Sequence, residues 1–170
     1  LSFFGLQQKC AVPNTSEGPS ERKLVWQDEF NRSGLPDSTK WGYDLGSGCP
    51  NLCGWGNNEL QYYTAHRSEN ARVENGLLLI EARREKWLEN KNYTSARLVS
   101  KNKGDWKYGR MEARIKCPGG RGTWAAFWML PTDWKYGGWP HSGEVDIMEH
   151  VGFKSDTVYA TAHTAAFTNT

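Results

Sequence analysis

Short stretches in which apolar residues alternate with polar ones, or run together, recur along this chain with turn residues between them. Residues 77–82, 110–116, 124–130 and 158–163 read as strands by this pattern. The turns fall at 31–34, at Asn75-Gly76, at 103–105 and at 118–120. Asn75-Gly76, directly ahead of the apolar run that begins at Leu77, is a strong hairpin signal. No stretch of ten or more residues carries a helical period. Many short strands separated by turns predict an all-β fold of two packed antiparallel sheets.

One of these apolar stretches is unusual. Gly143-Glu144-Val145-Asp146-Ile147-Met148-Glu149-His150 sets three carboxylates among Val145, Ile147 and Met148. Strands disfavour acids, and buried carboxylates are costly unless they are paired or put to use. Glu144 and Asp146 are two apart and share a face. Glu149 stands at an odd spacing from Glu144 and would face the other way, unless a β-bulge near Ile147 or Met148 adds one residue. With that bulge the three acids form a row.

Such a row suits glycoside hydrolysis, which needs two carboxyls about 5–5.5 Å apart for retention or about 6.5–9.5 Å apart for inversion. Counted past the bulge, the Glu144 and Glu149 Cα atoms are ~13 Å apart, so their side chains must lean together over Asp146. Like charges at that range favour one protonated group, as a general acid requires. The row has two other readings, a solvated surface strand and three oxygen ligands for a hard cation.

The pattern Glu144-x-Asp146-x-x-Glu149 resembles the active-site strand of glycoside hydrolase family 16, in its laminarinase-type (endo-1,3-β-glucanase) branch. The residue that lengthens the pattern is taken as Met148. The resemblance extends in blocks from Leu24 to Thr170. It includes a first strand over 24–30, a sugar-facing loop and strand over 55–64, central strands over 93–97 and 108–114, and the segment 122–131 that leads to the acids. It implies a jelly-roll β-sandwich with a concave cleft. It also implies a retaining mechanism, with Glu144 as nucleophile, Glu149 as acid and then base, and Asp146 tuning the nucleophile. Trp124, Trp128 and Trp139 would stack against sugars. Asn57, Asn58 and Arg97 would meet sugar hydroxyls, and His163 would lie beside the row. A structural calcium held by Glu29 and the backbone of Gly76 is a further implication. Members of the family continue for several more strands past the position of His163, so residues 24–170 resemble the front part of the catalytic domain.

Composition agrees with a sugar cleft. The chain of 170 residues holds nine Trp, each a flat apolar face with one N–H donor. Trp26, Trp41 and Trp87 read as packing residues, and Trp55, Trp124, Trp128 and Trp139 as platforms. A net charge of +2 gives no strong field, so neither nucleic acid nor an anionic membrane is implied as partner. Gly119-Gly120-Arg121-Gly122 is a loop rather than a phosphate cradle, and no zinc-type Cys/His spacing or heptad occurs.

Residues 1–23 read as a signal-peptide remnant and linker, with Cys10 a candidate for lipid attachment. Cys49 and Cys53 could bridge in an oxidising compartment, while Cys117 has no evident partner. The expected protein is a secreted or cell-surface monomer acting on β-1,3-glucan. Same-family hydrolysis of mixed-linkage β-glucan or a marine galactan, and glucan binding without catalysis, are the alternatives.

Overall fold

The computed structural model describes residues 22–167. The segment read as signal remnant and linker, with Cys10, lies almost wholly outside the described residues. Ten strands form: β1 (Gly42–Asp44), β2 (Gln61–Tyr63), β3 (Ala71–Glu74), β4 (Leu77–Ile80), β5 (Arg83–Arg84), β6 (Tyr93–Ser95), β7 (Arg97–Val99), β8 (Trp124–Met129), β9 (Glu144–Val151) and β10 (Tyr159–His163). Two 3-10 turns, Cys53–Gly56 and Leu88–Asn90, are the only helical pieces among the described residues.

The ladders divide into more sheets than the sequence pattern predicts. β1 pairs with β7, β3 with β4, β2 and β5 flank β6, and β8 and β10 flank β9. All pairings are antiparallel except β2 with β6, which is parallel. Buried Ala96 separates β6 from β7, so a single stretch of chain serves two sheets.

The hairpin expected at Asn75-Gly76 is present. Glu74 pairs with Leu77, and both loop residues take left-handed backbone angles, φ 52° and 73°. This is the turn that matches strand twist, and Asn-Gly is the dipeptide that adopts it at least cost.

Two expected strands are absent. Residues 110–116 and 24–30 are without ladder partners in the described structure, although 110–116 has the right alternation. Leu24, Val25 and Ile115 are exposed there. Alternation reports a chain with two unlike faces, whereas a strand also needs a neighbour for its backbone donors and acceptors.

The interior is as polar as it is apolar. Tyr62, Ala71, Val73 and Ala96 are buried, and so are Thr64, Asn70 and Thr94. Asn70 Nδ2 donates to Thr94 Oγ1 and to the Glu81 carbonyl, both at 3.0 Å, and its Oδ1 accepts from Thr64 Oγ1 and Arg67 Nη1. Arg67 grips Glu85 through two bonds of 2.7 and 3.1 Å, beneath the ring of Trp87. This network joins the segment before β3 to β6 and to the segments on either side of β5. Trp26 meets Trp41 and Trp106 edge-on in a separate aromatic cluster, as packing residues should.

Candidate active site

β9 carries the acid row, and its neighbours determine how the row faces. Against β8, Phe127 pairs with Met148 and Trp128 with Asp146, so Ile147 opposes no residue. The bulge expected near Ile147 or Met148 therefore exists. Its unpaired residue is Ile147 rather than Met148, because Met148 keeps its partner on β8.

The ladder register also fixes the faces. Asp146 lies opposite Trp128 and Glu149 opposite Ala126, and Trp128 and Ala126 are two apart on β8. Residues opposite one another share a face, so Asp146 and Glu149 do too. Glu144, two residues before Asp146, lies opposite His163 on β10. All three acids thus stand on one face, together with Trp124 and Trp128. Met129, one step from Trp128, faces away and lines an open groove of about 370 Å³ with Trp106, Tyr108, Met111 and Ile147. That groove is separate from the acids.

Each acid has its own partner. Trp139 Nε1 donates to Glu144 Oε2 at 2.6 Å, and Trp124 Nε1 donates to Glu149 Oε1 at 2.9 Å. Asp146, only 4% exposed, sets Oδ2 3.1 Å from His163 Nε2. The Trp139 ring in turn lies 5.7 Å from the His163 ring. Trp124 and Trp139 are each about half exposed, so both can bond a carboxylate and still present a ring face.

The ionisation of Glu144 is perturbed. Burial pushes its carboxyl above the usual range. The N–H of Trp139 pulls it back, the negative charge of Asp146 and a hydrogen bond to it push upward again, and His163 opposes them. The like-charge effect expected within the row therefore falls on the residue expected to be the nucleophile.

Arg97 takes an unexpected position. Its guanidinium carbon lies 4.6 Å from the Trp55 ring centroid and 4.5 Å from that of Trp128. Arg97 Nε is 2.9 Å from Asp44 Oδ2, within ion-pair range but not aligned as a hydrogen bond. Trp55 and Trp128 thereby give part of their ring surface to Arg97. Asn57 donates to Glu59 at 3.3 Å, and Asn58 sits in a left-handed turn. Neither asparagine bonds to the acid row among the described residues.

A second polar group adjoins Trp55 and was not anticipated. Glu59 Oε2 accepts from Gln61 Nε2 at 2.5 Å and from the Tyr63 hydroxyl at 3.0 Å, and Tyr63 lies against the Trp55 ring. Burial, followed by the Glu59 charge, holds the Tyr63 hydroxyl well above its ordinary range. The period-2 spacing of Glu59, Gln61 and Tyr63 is the signal that could have revealed this group.

The loop bearing Trp55 is closed by a disulfide between Cys49 and Cys53. Cys117 is free and touches Met148. Glu29 and the backbone of Gly76 are the two groups expected to hold a structural calcium. Together they offer one carboxylate and one carbonyl, against the six to eight oxygens that calcium takes, and no group of three His, Cys, Asp or Glu is placed for a metal among the described residues.

Residues 58–170 match the model of glycosyl hydrolases family 16, a span that includes the whole acid row. The chain belongs to glycoside hydrolase family 16. Within the family it is 58% identical to a beta-glucanase of Rhodothermus marinus over 147 residues, covering 85% of this chain and 49% of the relative. It is 45% identical to a glucan endo-1,3-beta-glucosidase of Cryptopygus antarcticus, covering 84% of this chain and 51% of the relative. The crystal structure of the Rhodothermus marinus laminarinase superposes with a TM-score of 0.81 at 57% identity, over 86% of this chain and 57% of that one. The family 16 fold is thus shared, an all-β jelly-roll β-sandwich. The chain spans about half the length of the curated relatives it matches.

Proposed function

We propose that this family 16 protein is an endo-acting glycoside hydrolase that cleaves β-1,3-glucan with retention. The observation that carries the reading is the acid row, three carboxyls on one face of a bulged strand with an indole donor at each end. The activities named for its relatives, a beta-glucanase and a glucan endo-1,3-beta-glucosidase, support the substrate.

In this mechanism Glu144 attacks the anomeric carbon while Glu149 protonates the departing glycosidic oxygen. The glucan splits, leaving a glycosyl ester on Glu144. Glu149, now ionised, takes a proton from water, which displaces Glu144 and restores the sugar's original configuration. Asp146 orients Glu144 and is itself held by His163. Trp124, Trp128 and Trp139 offer ring faces along the cleft, and Arg97 steadies Trp128 by lying over its ring.

The Cys49–Cys53 bridge supports an oxidising, extracellular or periplasmic setting. No helix among the described residues is long and apolar enough to cross a membrane.

Release of reducing ends from a soluble β-1,3-glucan, beside Glu144→Gln and a mixed-linkage glucan, tests the proposal. Turnover that is lost in the variant while glucan binding persists supports it. Glucan binding with no turnover in the unaltered protein favours the non-catalytic alternative.

A further inference from the structure

Trp139 does two things that a stacking residue alone would not. It places its ring edge on Glu144, with Nε1 2.6 Å from Oε2, while 47% of the residue stays exposed. An indole N–H lies in the plane of the ring, so the hydrogen bond leaves the ring faces unused. His163 lies against the ring at 5.7 Å and also holds Asp146. From outside β9, Trp139 therefore contacts one acid directly and the partner of a second.

From this geometry we infer that Trp139 is a positioning residue for Glu144, its N–H fixing the carboxyl while its free face receives a sugar ring. The inference rests on the reading of Glu144 as nucleophile. Because the ring must stay in one orientation to do both, a sugar stacked on Trp139 holds the donor on Glu144. Substrate binding and nucleophile alignment then become one event.

The groups that face Glu144 limit what else could set its ionisation. On its own strand the titratable groups of this face are Asp146 and, beyond it, Glu149, and His163 is the one on β10. β8 presents Trp124, Ala126 and Trp128 on this face, with Arg97 beyond Trp128. Burial and Asp146 raise the Glu144 carboxyl, and the Trp139 N–H is the strongest influence opposing them.

The experiment is a ¹³C-carboxyl NMR titration of the full chain, with the Glu144 signal assigned by its absence in Glu144→Gln. Trp139→Phe keeps an aromatic face and removes the donor. Its Glu144 midpoint should rise by roughly one pH unit, the size expected when one hydrogen bond to a charged group is lost. Trp124→Phe, which removes the donor on Glu149, should leave the Glu144 midpoint where it was and controls for a general loosening of the sheet. Binding of a β-1,3-gluco-oligosaccharide should largely survive Trp139→Phe and fail in Trp139→Leu. An unmoved Glu144 midpoint in Trp139→Phe, or an equal rise in Trp124→Phe, overturns the inference. The titration needs no turnover. A protein that shows the shift but cleaves no glucan would refute the proposed activity and leave the positioning contact standing.

Discussion

Arg97 and Trp128 are in direct contact, guanidinium over indole at 4.5 Å, and Trp128 lies opposite Asp146 in the β8–β9 ladder. A cation from β7 is thereby linked to the acid row through one aromatic ring. Arg97 also meets Trp55, in the loop closed by the Cys49–Cys53 disulfide. The stack carries the position of that loop to the strand where the chemistry is proposed.

Arg97→Ala should therefore weaken glucan binding and cost about 2 kcal/mol of stability, the scale of a desolvated cation–π contact. Arg97→Lys should recover only part of either, since an ammonium lacks the planar face that stacks on an indole ring. Isothermal calorimetry and thermal denaturation on both variants measure the two effects separately.

Glu149→Gln removes the proposed proton donor. Turnover of glucan should fall by about 10²–10⁴-fold. Aryl glycosides whose leaving group needs no proton should be affected far less. An equal loss on both substrates would contradict the assignment of Glu149 as acid.

Arg67 and Glu85 give the fold a pH dependence. Hydrogen bonds from Arg67, and then Thr94, hold Glu85 down at about 2. A folded-state pKa below the unfolded one means that the ionised acid stabilises the fold. That contribution is complete above the ordinary carboxylate range and is lost as pH falls toward about 2. The stability advantage of the natural protein over Glu85→Gln should be present at neutral pH and shrink steadily on acidification. Denaturant melts across that window record it.

The β3–β4 turn offers a further check. Gly76 stands at φ +73°, where any other side chain strains the backbone. Gly76→Ala should cost roughly 1–2 kcal/mol, and nothing near the turn offsets it. A melt unchanged within error would mean that the turn can shift to another type.

The acids, the bulge and this hairpin were legible because each depends on residues close together in sequence. Glu144, Asp146 and Glu149 needed only strand periodicity, and Asn75-Gly76 only local backbone preference. The network of Asn70 with Thr94 and Arg67 with Glu85 was not legible, since nothing local marks an asparagine as buried. The place of Arg97 was hidden for the same reason, because two of its neighbours come from separate loops and strands. Residues 110–116 misled because their alternation is real but no strand lies beside them among the described residues.

The unpaired Ile147 has a consequence for tolerance to change in length. An acid row of the form Glu-x-Asp-x-Glu faces one way in an unbroken strand, and with one residue looped out, Glu-x-Asp-x-x-Glu faces the same way. Deleting Ile147 should therefore leave the three carboxyls in line and straighten the strand beneath them. Deleting Val145 should instead turn Glu144 to the opposite side of the sheet. Two single-residue deletions in one strand, alike in size, should thus have opposite fates: one alters the curvature of the cleft, and the other removes an acid from it.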